Sequence, residues 1–91
     1  MYNSAMESNI TLKHRLDTSF FQIIGLEPTQ RRDLQHMWRH ARNVWDLMDQ
    51  EMVQCRRQNK HTPKYQDFER QLVDALENIE QYLTFATLLT K

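Results

Sequence analysis

Residues 28–59, PTQRRDLQHMWRHARNVWDLMDQEMVQCRRQN, contain no glycine and carry a proline only at the first position. Proline has no N–H to lose in the first helical turn, so this placement opens a helix rather than breaking one. Leu34, Ala41, Met48 and Cys55 recur every seven residues, with Met37 and Val44 between them. That spacing returns each side chain to one stripe of an α-helix, which Trp38, Trp45 and Met52 widen. The stretch predicts one long helix with neighbours on two sides. Leu47 and Val53 fall off the stripe.

Past this helix the chain reads Asn59-Lys60-His61-Thr62-Pro63. Threonine followed by proline is an N-cap with proline at the first helical position, so a second long helix is expected over 63–90. Tyr65, Leu72, Ile79 and Ala86 form one seven-residue series, and Phe68, Ala75, Tyr82 and Leu89 another, with Leu76 and Leu83 beside them. A turn this short forces the two helices antiparallel. Matching the stripes sets Leu34 opposite Leu89, Met37 opposite Ala86, Ala41 opposite Tyr82 and Val44 opposite Ile79. Met48 then meets Ala75 and Cys55 meets Phe68. Large faces small in several of these layers, which fills space without voids. Glu51 opposite Leu72 is the poor pair.

Upstream, Ser8 or Asn9 caps a shorter helix expected over 9–24, with Leu12, Leu16, Phe20, Ile23 and Ile24 at helical spacing. Gly25 stands where a left-handed residue commonly ends a helix, followed by Leu26 for the accompanying apolar contact. The fold class expected is all-α: a short N-terminal helix packed on a long antiparallel helical hairpin, in bundle fashion. Residues 1–8 are polar and are read as a disordered tail; residues 9–91 are read as a single helical domain.

The whole chain has 91 residues, one glycine, two prolines, and 12 basic against 12 acidic side chains. That length suits one domain. Zero formal net charge argues against strong non-specific attraction to nucleic acid or an anionic membrane, and lowers the repulsion between copies. A single cysteine, Cys55, excludes an intrachain disulfide and a cysteine-based zinc site. With no long apolar run and no basic-then-apolar leader, the expected location is the cytoplasm.

Helix lengths suggest where an interaction surface would lie. Each hairpin arm of about 28 residues spans roughly 42 Å, whereas a 16-residue first helix spans only ~24 Å. Tethered through Gly25-Leu26-Glu27, the first helix covers Trp38, Trp45, Leu76 and Leu83, leaving the turn end open. Met48, Met52, Tyr65, Phe68 and Leu72 are therefore the expected partner-binding strip, since contiguous exposed apolar surface marks interaction and methionine adapts to its partner. A homodimer of two hairpins side by side is the simplest closure.

Other residue groups carry weaker chemistry. Asp33, His36 and His40 lie on neighbouring turns, a spacing able to aim three side chains at one metal, but no further ligand motif completes the set. Arg31/His36 and Arg56/His61 each spell R-x-x-x-x-H, which resembles the short motif of HEPN-type ribonucleases over those six residues alone. Five residues on a helix rotate the second side chain by about 140° from the first, so a continuous helix points them apart. Arg31, Arg32, Arg39 and Arg42 make the start of the second helix basic, and arginine forks match phosphate oxygens. Across the hairpin, Glu77 and Glu80 are expected near Arg42 and Arg39.

No metal, cofactor or catalytic set is expected. The chain reads as a non-enzymatic protein-protein interaction module, an adaptor, regulator or inhibitor, acting through an apolar helical surface as a homodimer. The alternative is a small nucleic-acid-binding protein using the four arginines.

Overall fold

The computed structural model of the chain describes residues 9–89; the expected tail over 1–8 and the final helical residue expected at Thr90 lie outside that range. Three helices follow in order: α1, Asn9–Ile24; α2, Pro28–Gln58; and α3, Pro63–Leu89. They pack as a bundle in which α1 lies against the α2–α3 hairpin.

The turns form much as their residues dictate, with one exception. Asn59 adopts the left-handed conformation (φ 57°, ψ 37°), its N–H donates to the Arg56 carbonyl, and the Lys60 N–H donates to the Cys55 carbonyl. This pattern satisfies carbonyls that the end of α2 would otherwise leave unpaired. Thr62 caps α3 through Oγ1, which accepts the Tyr65 N–H at 3.1 Å. Gly25 is the exception: no glycine has positive φ, so it is not the left-handed terminator expected of it. α1 closes instead through Gly25 and Leu26 N–H groups donating to the Gln22 and Ile23 carbonyls.

The apolar stripes face one another as expected, but in a different register. Tyr82 Oη donates to Asp33 Oδ2 at 3.5 Å, although the expected pairing set Tyr82 opposite Ala41, two helical turns away. Thr62 Oγ1 donates to Glu51 Oε2 at 2.8 Å, and the Thr62 N–H reaches Cys55 Sγ at 3.5 Å. These contacts fit a hairpin slid by one heptad. Met48 then lies opposite Phe68, Val44 opposite Leu72, Ala41 opposite Ala75, and Leu34 opposite Tyr82. Residues 59–62 run back beside the last turns of α2 before α3 begins. Glu51, the poor pair of the expected register, now holds the Thr62 hydroxyl. A seven-residue repeat looks the same after a seven-residue slide, so apolar spacing cannot separate the two registers.

The slide moves Tyr65 about 10 Å down α2. There α1 reaches it: Tyr65 Oη donates to Asn9 Oδ1 at 2.6 Å. Further along α1, Trp38 Nε1 donates to the Leu16 carbonyl at 3.2 Å, and the Phe20 and Trp38 rings meet with centroids 4.7 Å apart. Arg15 Nε donates to Glu80 Oε2 at 3.1 Å, with a second bond from Nη2 to Oε1. α1 therefore runs antiparallel to α2 and covers the hairpin as far as the turn end. Leu12, Leu16, Ser19 and Ile23 form its buried face, while Phe20 is half-buried and Ile24 exposed. With Leu34, Ala41, Val44, Trp45, Met48, Tyr65, Leu72, Leu76 and Ile79, that face builds one continuous core.

Candidate interaction surface

The strip expected to be open at the turn end is closed. Met48, Tyr65 and Leu72 are fully buried within the single chain, and Met52 and Phe68 are half-buried against the same core. The register contributes: slid by a heptad, Tyr65 comes within reach of Asn9 on α1, whereas Met52 lines a cleft at the turn with Cys55, Arg56 and His61. The turn end is instead a polar, capped corner. Thr62 is buried among Cys55, Glu51 and Tyr65, and the His61 ring lies 4.7 Å from that of Tyr65. Burial pushes the Tyr65 phenol up to about 12. Glu69 is only 4 % exposed, and burial raises its pKa, with His61 drawing it down.

Ile10 and Val53 are exposed near the turn, but the larger group of exposed apolar side chains stands at the other end of the bundle. On α1, Phe21 is 73 % exposed and Ile24 48 %; on α3, Phe85 is 60 % and Leu88 66 % exposed. Each pair is spaced i, i+3, so its members sit on adjacent turns. Between the two helices lies a cleft of about 320 Å³, lined by Gln22, Glu80, Leu83, Thr84, Thr87 and Leu88.

The residues of this cleft look more polar in sequence than they are in place. Thr84 Oγ1 donates to the Glu80 carbonyl at 3.0 Å and Thr87 Oγ1 to the Leu83 carbonyl at 2.8 Å. Threonine hydroxyls turned back onto their own helix leave the methyl groups to define the surface. Glu80 is held by Arg15. Gln22 remains as a polar group able to orient a ligand. Such a cleft suits an apolar side chain presented by a partner.

Phe21, Phe85 and Leu88 were not among the expected site residues. The available signal was their position off the stripes: Phe21 lies off the Leu12–Leu16–Ile23 face, and Phe85 and Leu88 belong to neither series of α3.

Of the four arginines, Arg32 and Arg39 are exposed and Arg31 half-buried, none in an ion pair among the described residues, while Arg42 Nε lies 3.6 Å from Asp46 Oδ1. Glu80 does not reach Arg39 or Arg42, because α1 brings Arg15 to it first. Among the described residues no three or more of His, Cys, Asp and Glu gather as metal ligands, and the Asp33 carboxylate receives the Tyr82 hydroxyl. Arg31 and His36 both lie within continuous α2, whereas Arg56 and His61 are separated by its end. None of the described helices is long and apolar enough to cross a membrane. No family model, curated protein or solved structure matches the chain.

Proposed function

We propose that this chain is a non-enzymatic protein-interaction module, an adaptor, regulator or inhibitor, whose binding surface is the open end of the bundle. The observation that carries this reading is the group of exposed apolar side chains at this end, Phe21 and Ile24 on α1 and Phe85 and Leu88 on α3, of which Leu88 lines an apolar cleft between the two helices. Apolar groups grouped at one end of a small bundle favour burial against a partner, at roughly 25 cal/mol per Å² of apolar surface covered. A partner inserting one or two aliphatic or aromatic side chains from an amphipathic helix matches the cleft in size and polarity. A second copy of the chain is one such partner, since zero formal net charge leaves little repulsion between copies.

The test is affinity capture from native cell extract with the wild type, a Phe85→Glu/Leu88→Glu variant and a Val53→Glu control, alongside light scattering across concentration. Partners, or self-association, should persist with the control and disappear with the double variant. Identical capture and identical mass for all three would overturn the assignment to this end.

A second reading rests on Arg32 and Arg39, which are exposed, two turns apart and, among the described residues, in no ion pair. With Arg31 and Arg42 they form a basic edge able to contact phosphates. Retention on DNA or RNA at low salt, lost when the four arginines become alanine, is the outcome this reading requires.

A further inference from the structure

A second cleft, also about 320 Å³ and largely apolar, lies between α2 and α3 and is lined by His36, Met37, His40, Ala75 and Asn78. No residue of α1 lines it, so it opens on the face of the hairpin that α1 leaves uncovered. Seven residues after His40, Leu47 continues the same side of α2 and is 44 % exposed. The two edges of this face carry opposite charge. In the register adopted, residues 32–43 of α2 lie beside residues 73–84 of α3. Over that length Arg32, His36, Arg39 and His40 are exposed on α2, and the one exposed acid, Asp33, accepts the Tyr82 hydroxyl. The exposed charges on α3 are Asp74 and Glu77, both acidic. Among the described residues neither Arg39 nor Asp74 is in an ion pair. The described residues extend over 49 Å. Two packed helices present a face roughly 20 Å wide, room enough for the ~800 Å² per partner of a stable interface.

We propose that this uncovered face binds a second copy of the chain, related by a two-fold axis that runs along the helices in the plane of contact. That axis lays α2 of each copy over α3 of the other, so the basic edge meets the acidic edge twice. An axis across the helices would set α2 on α2 and bring arginine against arginine. Charge therefore selects the first arrangement, and Arg39 of one copy falls within about one helical turn of the level of Asp74 of the other. Leu47 is covered in this dimer, and the short Ala75 side chain lets the opposing helix approach closely. The interface is independent of the interaction surface at the open end and leaves Phe21 and Ile24 free for a different partner.

The experiment is sedimentation equilibrium of the full chain across concentration, at low and at high NaCl, with thermal melts that verify folding of every variant. A monomer–dimer equilibrium is expected, weakened by added salt as the facing charges are screened. Leu47→Glu, Arg39→Glu and Asp74→Arg should each raise the dimer Kd by at least about tenfold, through a buried unpaired charge or facing like charges. Combining Arg39→Glu with Asp74→Arg exchanges the two signs and should recover most of the loss. Phe21→Glu, at the open end, should leave the Kd unchanged, which separates this interface from that surface. The proposal is overturned by a strict monomer at all concentrations or by an unchanged Kd in folded Leu47→Glu. A charge exchange no better than its single changes, or an equal loss in Phe21→Glu, overturns it as well.

Discussion

Glu69 is nearly sealed from solvent on α3, and burial makes its charged form unfavourable. Its pKa is therefore higher in the folded chain than in the unfolded one, where glutamate titrates near about 4.3. The folded state holds this proton more tightly, so the contribution to stability is present in acid and is lost as pH rises past the unfolded value. Glu69→Gln should thus be more stable than the wild type at pH 7, with the gap closing as pH falls through the acidic range. Melting curves at both ends of that range check this, and a gap independent of pH would refute it. Gly25 supplies a second residue-scale case. It has no positive φ, and a Cβ there would meet only the Gln22 carbonyl oxygen at an ordinary 3.7 Å. Gly25→Ala should stabilise the fold by about 0.4–1 kcal/mol, chiefly by restricting the unfolded chain, as read from urea unfolding midpoints. Sequence suggested the opposite, because a glycine after a helix commonly marks a left-handed residue.

At the scale of elements, each boundary is carried by a few polar bonds. Thr62 does two tasks: it accepts the Tyr65 N–H that begins α3 and donates to Glu51 on α2. Removing the hydroxyl should cost about 1–2 kcal/mol from the cap alone and also leaves Glu51 without its partner. Thr62→Ala should therefore be markedly less stable than Thr62→Ser in the same denaturation experiment; equal midpoints would show that the hydroxyl contributes nothing. The cap itself was legible from Thr-Pro, and so were the three helices, because Gly25, Pro28, Asn59 and Pro63 interrupt otherwise unbroken helical periodicity. The bond to Glu51 was not, since it depends on where the chain of the turn lies beside α2.

For the whole molecule, the decisive quantity is which apolar surface α1 covers. Its side chains reach from Phe20 against Trp38 to Asn9 against Tyr65, and they bury what the hairpin alone would expose. A fragment of residues 26–91, lacking α1, should expose Met48, Tyr65 and Leu72 and self-associate through them. Light scattering of the fragment against the full chain measures this, with Met48→Glu in the fragment expected to reduce the association. A monomeric fragment with an intact helical signal would contradict the covering role assigned to α1. The candidate interaction surface is thereby moved from the turn end to Phe21, Ile24, Phe85 and Leu88; in sequence Phe21, Phe85 and Leu88 stand outside the main stripes, whereas Ile24 reads as part of the first helix's stripe.

The amino-acid sequence by itself determined three helices, nearly to the residue, and which positions on each long helix are apolar. These are local properties, governed by backbone propensity, capping and the 3.6-residue turn. Only the tertiary structure decided the register, and through it the distribution of buried and exposed surface. Stripes that repeat every seven residues are unchanged by a slide of seven, so local pattern cannot choose between registers. Bonds that do not repeat mark the register adopted: Thr62 to Glu51 and Cys55, Tyr82 to Asp33, and Tyr65 to Asn9. One heptad of sliding is about 10 Å, enough to bring the turn end under α1 and leave the opposite end open.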